Sequence, residues 1–403
     1  MNRHLLALLV CFTVVSGLVA DDWPQWRGPN RDGRSEEKGL ARRWPGTGPQ
    51  RLWSLNGLGE GFSTVSVVGD RILTTGMVDG QGKLFLISTA GRIVGAKTYG
   101  PETKGGGYPG PRSTPTVAGD RVYVLSGEGL LVCFKLNDGQ IVWQKDLFRD
   151  LGGQQIQWSV TESVLVDGDR VYCTPGGSDA TVAALDAKNG REIWRTRLGG
   201  KSAHCSPLLV DHNGRQILLS MTEEGAIAVD AKDGRDLWLH PHKNRYAVHA
   251  CTPVYHKGRV VISSGYNQGA EGLEMNQAGT AVRKVWGNKD LSNHHGGIIR
   301  VDDAVVGTGD RDLICLDIAT GRVNWRDAAV GKGSIVFADG LLYMYSERGE
   351  VGLAEVSAKS FGGLTGKFRV TEGSKQHWAH PVVANGVLYI RHGDTLIAYQ
   401  AGE

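Results

Sequence analysis

The sequence has no Cys-Cys pair, no Cys-x-x-Cys and no His-x-x-x-His, so no local motif fixes a metal or a vicinal disulfide. No Gly-x-Ser-x-Gly elbow occurs, which leaves a Ser-His-Asp triad without an anchor. Charge of one sign is also lacking. The 45 Lys and Arg are mixed with 42 Asp and Glu, unlike the one-sided basic field of a nucleic-acid binder. Proline is sparse, at 13 residues, and the 58 glycines follow no strict period of three. A glycine share about twice the usual ~7% then means turns and not collagen.

Long apolar runs are confined to the start. Arg3 and His4 precede an apolar run from Leu5 to Ala20, followed by Asp21-Asp22. That run is short for a membrane span and is flanked like a signal peptide, so residues 1–20 are read as a leader cleaved after Ala20. The mature chain is expected to be periplasmic or otherwise exported, with no stable membrane span. It keeps Cys133, Cys173, Cys205, Cys251 and Cys315, an odd count that leaves at least one unpaired. Cys133 and Cys315 hold the same place in two repeats and read as small buried hydrophobes. Residues 21–48 form an arm whose Pro and Gly exclude a helix or a central strand. Its Trp23, Trp26 and Trp44 are expected to pack on the body.

What the chain has in plenty is a repeated unit. The clearest copy runs from Asp169-Arg170-Val171-Tyr172 to Ala184-Leu185-Asp186-Ala187-Lys188-Asn189-Gly190-Arg191-Glu192-Ile193-Trp194. It reads as strands separated by turns, with a tight Asn189-Gly190 turn taking positive φ at both positions. The unit recurs around Asp230, Gly234 and Trp238, and around Asp317, Gly321 and Trp325. In each copy the Asp precedes the Gly by four residues and the Trp follows it by four. Fixed spacing of this kind means one supersecondary unit reused. Other copies end at Trp143 and Trp286, and in the first copy Gly95 takes the Trp place. The eighth copy, Pro381 to Tyr399, stops before its last strand. The missing strand stands at the other end of the chain, where Arg51-Leu52-Trp53-Ser54-Leu55 has the Trp-bearing pattern. The spacing therefore predicts an all-β chain, an eight-bladed β-propeller of four-stranded antiparallel blades over residues 49–403. Pairing of the N- and C-terminal strands closes the ring. Each Trp should cap an outer strand against the next blade, and each Gly should permit its turn.

The signature Ala-Leu-Asp-Ala-Lys-x-Gly-x-x-x-Trp at residues 184–194 resembles the repeats of bacterial exported quinoprotein-like (PQQ-like) β-propellers, over about residues 49–400. The resemblance implies the fold. Dehydrogenases of that fold hold the quinone PQQ with a calcium ion on carboxylate and amide ligands, an Asp base and a stacking Trp, often under a disulfide between adjacent cysteines. No motif in this chain matches that set. Fold alone does not assign activity. The expectation is a non-catalytic scaffold that binds a protein or a small molecule. A PQQ- and calcium-dependent alcohol or sugar dehydrogenase is the alternative.

Candidate site residues come from the links that precede the first strand of each repeat. Aligned on the strand start, these carry Arg112, His204, His249, His294 with His295, Lys332, and His377 with Trp378 and His380. In a propeller such links gather at one mouth of the central channel. Imidazoles there suit zinc or copper, and with Arg and Lys they also suit an anion. The sharpest expectation is a metal on His204, His249 and His294, with Cys205 or Cys251 as a fourth ligand. The Gly-rich link Lys104–Pro111 has no Gly-Lys-Ser/Thr, which argues against a phosphate cradle. It is expected to be a mobile loop over the mouth.

Overall fold

The computed structural model describes residues 22–402, so the leader and its cleavage point lie outside the described residues. The chain folds into eight antiparallel four-stranded sheets arranged as propeller blades, one of which gains a fifth strand from the arm. Blade 3 shows why alternation produces this. Its strands are Leu165–Asp167, Arg170–Cys173, Val182–Asp186 and Glu192–Thr196, paired in that order. Val171 and Cys173 face Tyr123, Leu131 and Cys133 of blade 2. Tyr172 and Ala184, on the other face, meet Leu218, Ile227 and Val229 of blade 4. Both faces of a blade are covered by neighbours, so the two middle strands are apolar on both sides and buried almost throughout. All five cysteines among the described residues are buried and unpaired.

The ring closes where the repeats predict. Strand Arg51–Leu55 pairs antiparallel with Thr395–Gln400, setting Trp53 opposite Ala398 and Leu55 opposite Leu396. It completes blade 8, whose other strands are Val382–Ala384 and Val387–His392.

The recurring Asp, Gly and Trp form a lock between blades. The Asp side chain turns back on its own loop: Asp186 Oδ1 accepts from the Lys188 and Asn189 amides at 2.8 and 3.1 Å. Asp317 Oδ1 accepts from the Thr320 amide at 2.8 Å, and Asp230 Oδ1 from the Lys232 amide at 3.0 Å. The Gly amide then returns to the Asp carbonyl, at 2.8 Å for Gly190. The indole of the preceding blade lies flat on that glycine. A Cβ at Gly190 would come within 2.7 Å of Trp143, and Cβ atoms at Gly234 and Gly321 within 2.5 Å of Trp194 and Trp286. Each indole N–H donates to a carbonyl of the same turn: Trp143 to Ala187 at 3.0 Å, Trp194 to Ala231 at 3.3 Å, Trp286 to Ile318 at 2.8 Å. Trp325 and the half-buried Trp53 donate likewise to Ser357 and Thr89, both at 2.9 Å. Trp238 is buried but has no such acceptor, since a longer turn after Met275 replaces the usual loop. One detail departs from the sequence reading. Among Asn189 and Gly190 only Gly190 takes positive φ, at +71°. The turn is the longer Asp-to-Gly loop, so Asn189 never needs the left-handed region.

The arm does more than dock on the outside. Trp23 bridges Val67 on the first strand of blade 1, and Pro24 accepts from the Val117 amide of blade 2. Arg31 donates to the Ser163 and Val164 carbonyls at the entrance of blade 3, at 2.6 and 3.1 Å. Arg27 donates to Ile298 and Arg34 to Arg300 of blade 6, each at 2.6 Å. Strand Arg34–Ser35 then runs parallel to Gly333–Ala338, the first strand of blade 7. First strands of successive blades touch one another around the axis. A segment reaching blades 1, 2, 3, 6 and 7 by their first strands therefore crosses the channel and floors it. Trp44 leaves the channel to pack on Tyr343 and Phe368 of blade 7, at 5.9 and 5.5 Å between ring centroids.

Candidate functional site

The links between blades converge above that floor, around a cavity of about 270 Å³. Of the residues singled out in the sequence, Arg112, His204, His294, His295, Trp378 and His380 line it. His249, Lys332 and His377 do not. His249 is fully buried and turns to Ser264 Oγ at 2.6 Å. His377 stacks on His392 with centroids 3.7 Å apart and bonds Tyr345 Oη at 2.5 Å. Lys332 lies behind the wall, 3.0 Å from His294 Nδ1 and 3.3 Å from Glu347.

The metal set expected on His204, His249 and His294 is not formed. Among the described residues, the three side chains whose ligand atoms fall within 4.8 Å of one another are His294, His295 and Glu347. Glu347 accepts from His295 Nε2 at 2.7 Å, and the Lys332 ammonium stands beside it and His294. Burial pushes the Glu347 carboxyl up, but His295 and Lys332 outweigh this and leave it at about 2. Cys205 and Cys251 do not serve as ligands either: burial pushes their thiols up to about 12 and about 11, away from the thiolate a metal needs.

Aromatic rings make up most of the wall. Centroid contacts run from Phe62 to Trp378 (5.1 Å), Trp378 to His295 (5.8 Å), His295 to His294 (5.3 Å) and His294 to Tyr266 (4.8 Å). They continue from Tyr266 to Tyr246 (4.7 Å) and from Tyr246 to Trp158 (6.0 Å). Arg112 closes the belt. Its guanidinium donates to the Trp158 and Tyr108 carbonyls, both at 2.8 Å, and lies over the Phe62 ring at 5.6 Å. Tyr108 sits on Trp378 at 4.9 Å, so the Gly-rich link expected to be a mobile loop is built into the wall. Gly105 in that link is required, because a Cβ there would lie 2.8 Å from the Arg112 guanidinium. At the bottom, Trp26 of the arm packs on His380 at 4.4 Å and donates to Thr252 at 3.4 Å. Trp26, expected to be packing alone, is part of the cavity floor.

Electrostatically, Arg112 is the one Lys or Arg in a cavity lined mainly by aromatic and imidazole rings. Burial holds the imidazoles of His204, His294 and His380 down at about 3, and Arg112 beside His204 and Arg27 beside His380 add to it. They are neutral donors and acceptors at physiological pH. Arg112 has its pKa lowered by burial to about 10 and stays charged. Two buried carboxyls stiffen the links from behind. Glu102 accepts from Tyr99 Oη and from the Thr103 and Gly127 amides at 2.7–2.8 Å. Glu162 accepts from the Thr174 amide at 3.0 Å.

Sequence reasoning missed Phe62, Trp158 and Tyr266. All lie in links or turns at the same mouth, and the alignment that found Arg112 and His204 would have found Phe62, four residues before its strand, had aromatics been included. Trp158 lies seven residues before its strand, outside that alignment.

Fold and mouth together define an eight-bladed propeller of PQQ-like repeats, closed by a strand from each end. The family model PQQ_2, described as outer membrane protein assembly factor BamB, matches residues 45–327 and 283–362, and the chain belongs to that family. A curated relative, the outer membrane protein assembly factor BamB of Kangiella koreensis, is 32% identical over 82 residues. That stretch is 20% of this chain, and the match spans 18% of the relative's length. Among solved structures, BamB from Moraxella catarrhalis superposes with a TM-score of 0.63 at 16% identity, over 87% of this chain and 99% of its own. Quinohemoprotein alcohol dehydrogenase from Comamonas testosteroni gives 0.68 at 12% identity, over 95% and 81%. At these identities the superpositions speak for the fold. No helix among the described residues is long and apolar enough to cross a membrane.

Proposed function

We propose that the protein is an exported, non-catalytic binding propeller that serves as a scaffold in protein assembly, and that it engages a ligand or partner through the aromatic cavity at its mouth. Membership in an assembly-factor family supports the scaffold role. The observation that carries the reading is the chemistry of the cavity wall: it contains rings, imidazoles, hydroxyls and one guanidinium, but no Asp, Glu, Asn or Gln. Calcium takes six to eight oxygen ligands, several from carboxylates, and the quinoprotein dehydrogenases that the repeats resemble use an Asp as base. This wall supplies neither, and Glu347 behind it is occupied by His295 and Lys332. The residues present therefore do not fit a calcium-bound quinone. The test is to add the quinone and calcium to the purified protein and follow absorbance and dye reduction with alcohols and aldose sugars. The expected result is no turnover; stoichiometric quinone binding with turnover would replace this reading with the dehydrogenase.

A further inference from the structure

The cavity is closed below. Trp26 and His380 form its bottom, and the arm with the buried Arg27 lies across the channel underneath. A blind pocket admits the end of a chain or a small molecule, and not a segment passing through. Its walls are the aromatic belt, which favours a planar apolar group. Arg112 is the one Lys or Arg among the residues that line the cavity. Its guanidinium is anchored on two carbonyls, yet among the described residues no carboxylate lies within ion-pair distance of it. By contrast Lys332, behind the wall, is neutralised by Glu347, and Arg245 lies over the Tyr246 ring outside the cavity lining. A half-buried planar fork with free donors is suited to a carboxylate.

We propose that the pocket receives the C-terminal residue of a partner protein, an aromatic side chain held in the belt with its free α-carboxylate on Arg112. This rests on the reading of the protein as a binding propeller and names the chemistry its mouth recognises.

The probe is a set of short peptides of one sequence, ending in Phe as the free acid, in Phe as the amide, and in Ala as the free acid. Benzoate serves as a separate small-molecule arm, and binding to the mature protein is read from calorimetry and Trp fluorescence. The Phe acid should bind at least tenfold more tightly than either the amide or the Ala peptide. Arg112→Met should erase the acid-to-amide difference. Trp378→Leu should weaken all three peptides while keeping that difference. Equal binding of acid and amide to the parent protein, or no binding of any peptide at millimolar concentration, would overturn the proposal without needing a variant. Benzoate binding as tightly as the Phe acid would also overturn it, by assigning the pocket to free aromatic acids. None of these outcomes involves dye reduction, so failure here is distinct from discovery of a dehydrogenase.

Discussion

The outer turns and the mouth links solve the same backbone problem in opposite ways. Both need residues with positive φ. The outer turns place glycine there: Gly190, Gly234 and Gly321 sit at +71°, +75° and +68°, each beneath an indole. The mouth keeps glycine in the Lys104–Pro111 link, with Gly105 at +53°, but elsewhere uses full side chains: Trp158 at +66°, Ser159 at +71°, His204 at +70° and Tyr266 at +60°. An L-residue in the left-handed region costs about 1–2 kcal/mol relative to glycine. At the turns, where the backbone alone matters, glycine removes that cost. At the mouth Trp158, His204 and Tyr266 line the cavity, so the strain is retained where the side chain faces a ligand space.

The largest effects belong to the regular half of this comparison. Deleting Arg51–Leu55 removes the closing strand of blade 8 and bares the edge of Thr395–Gln400. Thermal unfolding should then shift down by about 10 °C or more, or lose cooperativity. An unchanged melting curve would contradict closure by the termini. Next comes Trp194→Ala, which empties the indole seat on Gly234 and should cost about 3–5 kcal/mol in chemical denaturation. Trp325→Ala, at a half-buried indole, should cost less. Equal losses would mean that burial of the ring does not set the strength of the lock.

This contrast also explains what was legible in the sequence. The fold could be read because the lock repeats: Asp186, Asp230 and Asp317 shape the same turn, and Gly190, Gly234 and Gly321 each lie beneath an indole, so identical spacing reports identical geometry. The closing strand could be read because Trp53 carries that pattern out of place. The mouth could be read only in part. Arg112, His204, His294, His295, Trp378 and His380 were found by position, since links must converge. Which way a side chain turns was not encoded by position. His249 and His377 occupy equivalent places yet turn to Ser264 and His392. The arm was the least legible element, because nothing in its sequence marks Arg27 and Arg31 as donors to carbonyls of distant blades.

That floor gives an intermediate prediction. Arg31 is 2% exposed and satisfies the Ser163 and Val164 carbonyls. Arg31→Leu takes the donor from the Ser163 carbonyl, while Val164 keeps the Thr116 hydroxyl at 2.7 Å, and should cost about 1–3 kcal/mol, read in urea denaturation. A loss below the error of the measurement would show that the arm is dispensable to the floor.

Acid should loosen the mouth as well. His204, His249, His294 and His380 are held at about 3 by burial, below the ordinary imidazole value. Between pH 6.5 and about 3 the unfolded chain therefore binds protons that the native state refuses. Stability is complete above pH 6.5 and falls as the pH drops through this window, by up to about 1.4 kcal/mol per pH unit for each imidazole. Glu162, raised to about 8 by burial, acts with the opposite sign, losing stability as the pH rises from 4.5 to 8. Burial raises Glu102 as well, and His377, held at about 4, joins the imidazoles; five imidazoles against these two carboxyls predict a net decline below pH 6. His380→Gln should flatten the slope, and an unchanged slope would remove that imidazole from the account.

The smallest expected effect is the sharpest test of the opening contrast. Gly190→Ala puts a Cβ at φ +71° and within 2.7 Å of the Trp143 ring, so it meets both backbone strain and a clash. It should lose about 1–3 kcal/mol. His204→Gly is the reverse exchange at nearly the same φ. It gives up the contact of the ring with Trp158, at 6.5 Å between centroids, but relieves the left-handed strain. The two terms oppose each other, so stability should change by less than about 1 kcal/mol. The pair can be compared in a single denaturation series. If His204→Gly proves as damaging as Gly190→Ala, His204 is a structural wedge, and the positive φ at the mouth carries no functional meaning. If His204→Gly is near neutral while the Phe-terminated peptide binds less tightly, the strain at the mouth is kept for the ligand.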